Sequence, residues 1–267
     1  MKEFKTWQSY SQFAHKTIRE YRYIHDEEIL DFLFTLWKTS PSRVDDIRNG
    51  SLLWRAQLGC DYRPYYDNEV YVFDEETPYP DRRMKPLADR ATEGRANPKG
   101  IPHLYLATEK DTAMAEVRPW VGSKVTLAIF KIVRDLKIVN FTNDSKFKST
   151  VHLTEPTPKI REETVWAQID NAFSRPVLPT DHAADYIPTQ IITEYFKVKG
   201  IDGLAYRSNL GKGLNIVLFN LDDAEFEWAR VYSADDVKFQ FSEASPTIVM
   251  KKPIKYGRQP TNQVDGK

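Results

Sequence analysis

Gly94, Pro98, Gly100 and Pro102 crowd together and give way at once to Leu104-Tyr105-Leu106-Ala107, followed by Thr112-Ala113-Met114-Ala115-Glu116. No long helix or strand can run through such a stretch. It has to be built as a loop, a short buried strand and a short helix. The loop carries Arg95, the strand Tyr105 and the helix Glu116, with Asp111 and Thr112 reading as N-terminal caps of that helix. A guanidinium, a phenol and a carboxylate brought to one pocket could hold a phosphorylated ligand and stabilise a cation forming beside it. A plainer alternative exists for each residue: Arg95 as a solvated loop charge, Tyr105 as a core aromatic with its hydroxyl at the rim, and Glu116 as a surface acid paired with Arg118.

The rest of the chain limits the function classes. Lys plus Arg and Asp plus Glu both number 38, so no global field draws the protein to nucleic acid or to an anionic membrane. No apolar run approaches the roughly 20 residues that span a bilayer, and Met1-Lys2-Glu3-Phe4-Lys5 is not followed by the apolar core of a signal peptide. The expected location is the cytoplasm. With 41% hydrophobic, 13% aromatic and 28% charged residues, the chain reads as folded and globular. Cys60, the single cysteine, excludes an internal disulfide and a thiolate cluster for zinc, and reads as a plain, partly buried thiol. His15, His25, His103, His152 and His182 lack metal-type spacing, so no metal is expected.

Apolar side chains at helical intervals between residues 8 and 38 predict two helices split near His25 and Asp26, the second capped by Asp26 and stopped at Thr39-Ser40-Pro41. This leader could be a packed accessory, a dimer contact or the remnant of a longer helical module, and packing against the main domain is the favoured reading. Strands are expected at Leu53–Ala56, Leu104–Ala107, Lys124–Ile132, Leu136–Asn140, Ile201–Tyr206 and Asn215–Phe219, and helices over Glu162–Phe173 and Asp185–Val198. Pro188 is tolerated in the first turn of the latter and Gly200 ends it. The stretch from Gly59 to Pro102 is too long for a simple connection and reads as a lid or rim. This divides the chain into a helical segment (1–45), a main α+β domain (46–245) and an extended tail (246–267).

Two further segments complete a pattern: Leu52-Leu53-Trp54-Arg55-Ala56 upstream, and Tyr186 to Phe196 followed by Gly203-Leu204-Ala205-Tyr206-Arg207-Ser208 downstream. With the loop of Gly94, Arg95 and Asn97 and the strand of Tyr105, they resemble the RES domain family, named for an arginine, a glutamate and a serine. Here those positions are Arg55, Glu116 and Ser208, and the resemblance spans roughly residues 50 to 222. It implies an ADP-ribosyltransferase-like α+β fold with short mixed and antiparallel sheets and flanking helices. It also implies a toxin of a toxin–antitoxin pair that cleaves the nicotinamide–ribose bond of NAD, with phosphate as a co-substrate or water as acceptor. The alternatives are transfer of the same sugar to a protein and a catalytically silent binding module. A cognate antitoxin and a homodimer are implied by the family alone.

On that resemblance Arg55 would clamp phosphate oxygens or ribose through its rigid fork, and Arg95 would supply a second clamp from a loop that closes on the ligand. Tyr105 would lie against or hydrogen-bond the nicotinamide ribose, while Glu116 would bind ribose hydroxyls and stabilise the developing cation. Ser208, ahead of Asn209-Leu210-Gly211-Lys212-Gly213, would receive a phosphate or the nicotinamide amide, with a hairpin turn as the alternative. The chain departs from the family pattern in its long leader, in the larger insertion between Arg55 and Arg95, and in Ala96, where relatives often carry tryptophan.

Overall fold

The computed structural model describes residues 3–87, 90–142, 151–175 and 183–238. The chain runs through α1 (Ser9–Arg19), α2 (Glu27–Thr39), β1 (Val44–Ile47), β2 (Leu52–Leu58), β3 (Asp61–Asp67), β4 (Val70–Thr77) and α3 (Asp81–Met84). It continues through β5 (Leu104–Ala107), α4 (Lys110–Glu116), β6 (Lys124–Ile132), β7 (Leu136–Asn140), α5 (Pro158–Ser174) and α6 (Ile187–Val198). It closes with β8 (Gly203–Arg207), β9 (Leu214–Leu218) and β10 (Ala224–Ser233). The fold is α+β. Eight strands form one mixed sheet in the order β1-β7-β8-β9-β5-β2-β6-β10, and β3 with β4 forms a separate ribbon.

Among the described strands only β7 and β8 run parallel in the sheet. A parallel pair needs a crossover, and here the segment carrying α5 and α6 makes it. Those helices bury Val165, Trp166, Ile169, Phe173, Ile192 and Phe196 against Val139, Leu204 and Val217 of the strands. The leader joins the same core. Asp26 caps α2, its Oδ1 accepting from the Ile29 amide at 2.9 Å, while Oδ2 accepts from Lys16 Nζ at 2.7 Å and ties the two helices together. Phe13 stacks on Phe32 with ring centroids 4.4 Å apart, and both lie in the cluster with Phe196 and Ile192. A second cluster joins Leu53, Phe130 and Ile132 to Ile138, Ile216 and Leu218, uniting the two halves of the sheet.

The stretch expected as a lid is partly regular. β3 and β4 make an antiparallel hairpin turned by Asn68 and Glu69, both at positive φ (45° and 66°), as two-residue hairpin turns require. Both of its faces meet water, with Tyr62, Tyr65, Tyr66, Tyr71 and Phe73 exposed and Tyr65 stacked on Phe73 at 5.0 Å. The expected tail beyond 245 and His182 lie outside the described residues.

One irregularity positions the site. β5 has four residues, and β2 pairs with it at a single register position, Trp54 with Ala107. By contrast β2 pairs with β6 over seven positions. The sheet therefore parts between β2 and β5, next to Arg55 and Tyr105.

Candidate active site

Where the ladder fails, a side chain replaces it. Arg55 Nη1 donates to the backbone carbonyl of Tyr105 at 2.8 Å, and its Nε is buried without a hydrogen-bond partner. Among the described residues no carboxylate pairs with it. Burial lowers its pKa to about 10, with the Tyr105 hydroxyl opposing, so it remains a cation at neutral pH. Even a half-buried charge left without a counter-ion costs stability. Trp54, Arg55, Tyr105, Glu116, Tyr206 and Asn215 are among the residues lining a cavity of about 280 Å³ at this point.

Glu116 ends α4 and reaches the same cavity. Its Oε1 accepts from Ser208 Oγ at 2.8 Å and from Asn215 Nδ2 at 2.7 Å, while Oε2 takes no hydrogen bond among the described residues. Two neutral donors thus orient the carboxylate without cancelling its charge. Neither Asp111 nor Thr112 caps α4, as was expected. The capping position is Glu109, without a side-chain bond, and the Thr112 hydroxyl donates to the Lys212 carbonyl instead. That contact clamps α4 to the loop after Ser208, and Gly211 permits it: a Cβ there would come within 2.8 Å of the Thr112 Cα.

Ser208 itself is turned inward and 5% exposed. Besides donating to Glu116, its Oγ accepts from the amides of Leu210 and Gly211, each at 3.1 Å. The hydroxyl and amides expected to receive a phosphate or an amide are therefore engaged with one another, and Ser208 acts through Glu116. The hairpin-turn alternative also holds, since the loop joins β8 to β9.

Tyr105 departs from expectation in a similar way. Its hydroxyl donates to Asn97 Oδ1 at 2.7 Å and accepts from the Ala96 amide at 3.1 Å, so the polar tip holds the loop and only the ring is left to face ligand. Burial raises the pKa of both Tyr105 and Tyr206, keeping them neutral. Asn97 Nδ2 further donates to the carbonyls of Thr92 and Ile101, and Gln190 Nε2 donates to those of Gly94 and Asn97. Gly94 is needed because a Cβ would come within 2.7 Å of the Tyr105 hydroxyl. The loop is pinned in place, against the expectation that it closes on a ligand.

Arg95 lies at the end of α5, where its Nη1 donates to the Ala172 carbonyl at 2.9 Å and its Nη2 to that of Arg175. A cation there complements the helix C-terminus. Arg95 still lines a second cavity of about 320 Å³, with Arg118, Arg175, Asn209 and Leu210, which shares Tyr105, Glu116, Tyr206 and Asn215 with the first. The other four expected residues therefore gather around Glu116, though Arg95, Tyr105 and Ser208 have their polar groups committed to the protein. Asn215, Gln190 and Tyr206 are contributors without an assigned role in the sequence reading, and Asn97, named there only as part of the loop, proves to be its anchor. Two larger hollows, of about 1100 and 530 Å³, lie elsewhere. They are lined by charged, polar and apolar side chains together, and the half-buried Arg43 of the larger one has the negative charges of Glu162, Asp170 and Glu163 near it.

Among the described residues no group of three His, Cys, Asp or Glu is placed to hold a metal, and no helix is long and apolar enough to cross a membrane. The RES domain family profile matches residues 69–242, well over half of the chain, and the protein belongs to that family. The matched span contains Arg95, Tyr105, Glu116 and Ser208, whereas Arg55 lies upstream of it. The chain is also similar to one in the crystal structure of the M. tuberculosis MbcT-MbcA toxin-antitoxin complex. That likeness has a TM-score of 0.43 at 14% identity and covers 74% of this chain and 92% of the other. No curated protein matches it.

Proposed function

We propose that the protein is an NAD-degrading enzyme that cleaves the nicotinamide–ribose bond. One observation carries the reading: among the described residues, a half-buried arginine without a carboxylate partner and an oriented carboxylate without a cation line the same cavity. A ligand bearing both an anionic group and a centre that becomes positive would complete both. A dinucleotide whose glycosidic bond is breaking has these features. In the proposed step the C1′–N bond breaks and its electron pair leaves with nicotinamide, neutralising the pyridinium. The ribose becomes oxocarbenium-like beside Glu116, and a phosphate oxygen or water forms the new bond to C1′, water losing a proton in doing so. A fixed, oriented negative charge aimed at developing positive charge is an effective form of catalysis.

Arg55 would bind anionic oxygen of the substrate, and Asn215 and Ser208 would keep the carboxylate from turning away. The family reading adds a setting: a toxin acting in the cytoplasm, held in check by a cognate antitoxin that covers the cleft, with a homodimer as its assembly. The test is mass spectrometry of NAD incubated with purified protein, with and without phosphate and candidate acceptor proteins. ADP-ribose 1-phosphate identifies a phosphorylase, ADP-ribose a glycohydrolase and a labelled protein a transferase. Unchanged NAD under every condition rejects the enzyme reading in favour of a silent binding module.

A further inference from the structure

The second cavity is strongly basic. Among the described residues that line it, Arg95, Arg118 and Arg175 stand with Glu116 as the one carboxylate. Arg95 is anchored on the end of α5, and Arg175 stands 3.9 Å from Asp185. Arg118 differs from both because its backbone is unusual: φ is +49°, in a region that side-chain-bearing residues enter reluctantly, and Pro119 follows, which restricts the preceding residue further. Glycine would adopt this conformation freely. The turn is fixed by the Arg118 amide donating to the Ala115 carbonyl at 3.0 Å, so Arg118 sits two residues beyond Glu116 on the same rigid helix end. Strain of this kind concentrates where a side chain is used.

We infer that Arg118 is the phosphate-binding residue of this annex, taking phosphoryl oxygens while Glu116 addresses the adjoining ribose. The inference rests on the NAD-cleavage reading for its substrate, and the annex accounts for a charge that Arg55 alone does not. Phosphoryl oxygen could come from the dinucleotide's pyrophosphate or from an acceptor phosphate. Both present the same chemistry to a guanidinium.

The backbone supplies an unusual test. Arg118→Gly removes the guanidinium and relieves the positive φ, so a structural role and a binding role predict opposite results. The expected outcome is a melting temperature equal to or above that of the wild type, with affinity for ADP, used as a pyrophosphate probe without nicotinamide, or for inorganic phosphate reduced at least about tenfold. In turnover, KM should rise with kcat changed far less. A rise in the KM for NAD assigns the annex to the pyrophosphate, and a rise in the KM for phosphate assigns it to the acceptor. Arg118→Lys should recover part of the lost affinity.

Unchanged affinity for both probes in Arg118→Gly overturns the inference, as does a wild type that binds neither at millimolar concentration. Early melting of Arg118→Gly with no recovery in Arg118→Lys makes the residue structural and overturns it too. Arg118-dependent ADP binding without NAD loss would reject the cleavage reading and leave the annex standing. NAD loss that is indifferent to residue 118 would do the reverse.

Discussion

Opposite charges are treated differently at two places in the same sheet. At the turn from β6 to β7, Arg134 makes a bidentate pair with Asp223, its Nε donating to Oδ1 at 2.9 Å and its Nη2 to Oδ2 at 2.8 Å. It also reaches Asp202 at 2.7 Å. At the cleft, Arg55 and Glu116 share a cavity yet each is held by neutral groups, a backbone carbonyl for one and a hydroxyl and an amide for the other. The first arrangement is finished and serves the fold. The second leaves both charges available, and for the half-buried Arg55 the lack of a counter-ion costs stability that a purely structural site would recover by pairing it.

The largest effect should follow from removing the cleft's acid. Glu116→Gln keeps an oxygen that can accept from Ser208 and Asn215, so the fold should persist while NAD consumption falls by about a hundredfold or more. Retained turnover with an unchanged melting temperature would break the contrast between the two regions. A buried polar group that belongs to neither region gives the scale of a purely structural penalty. His103 is 2% exposed with both ring nitrogens unpartnered. Burial lowers its pKa from 6.5 to about 4, with Lys197 acting in the same direction and the Ala96 backbone weakly against.

A depressed folded-state pKa means that the stability it contributes is present above pH 6.5 and is lost as pH falls toward 4, by on the order of 3 kcal/mol. Denaturant melts across that window should show this slope in the wild type and a flatter one in His103→Leu. Next in size is Arg134→Met, which strands Asp223, 3% exposed. It should lower stability by about 2 kcal/mol without altering the KM for NAD. The smallest stability change is expected for Arg55→Met: relief of a buried cation offsets the lost bond to Tyr105, leaving a net shift under about 1 kcal/mol. Its KM for NAD should nevertheless rise. A large loss of stability there with unchanged KM would make Arg55 a counterpart of Arg134.

Much of this was readable in the residues. Asp26 as a cap, the apolar stripe of α5 and Pro188 in the first turn of α6 are local signals, and the structure carries each of them. The elements that escaped have weaker local signatures. β1, Val-Asp-Asp-Ile, is short and polar because it is an edge. β10 is interrupted by a register shift between Phe226 and Trp228 that breaks its alternation. β3 carries Pro64 and is exposed along nearly its whole length, so it lacks the half-buried pattern that marks a strand. Within the site, Arg55 and Glu116 were legible through the family motif that their segments carry. Asn215 and Gln190 were not, because each is an isolated amide whose partner lies more than ninety residues away along the chain. An asparagine inside a buried strand does signal that something must bond to it, but it cannot say what.

The mismatch between a seven-residue β2 and a four-residue β5 has a wider implication. An opening created by unequal strand lengths is set by the backbone, so its address in the molecule does not depend on which side chains happen to border it. Substitutions along those borders can retune what is admitted, or shut the entrance, while the opening itself stays where it is. Chemistry at this position can therefore diversify without the architecture having to be rebuilt.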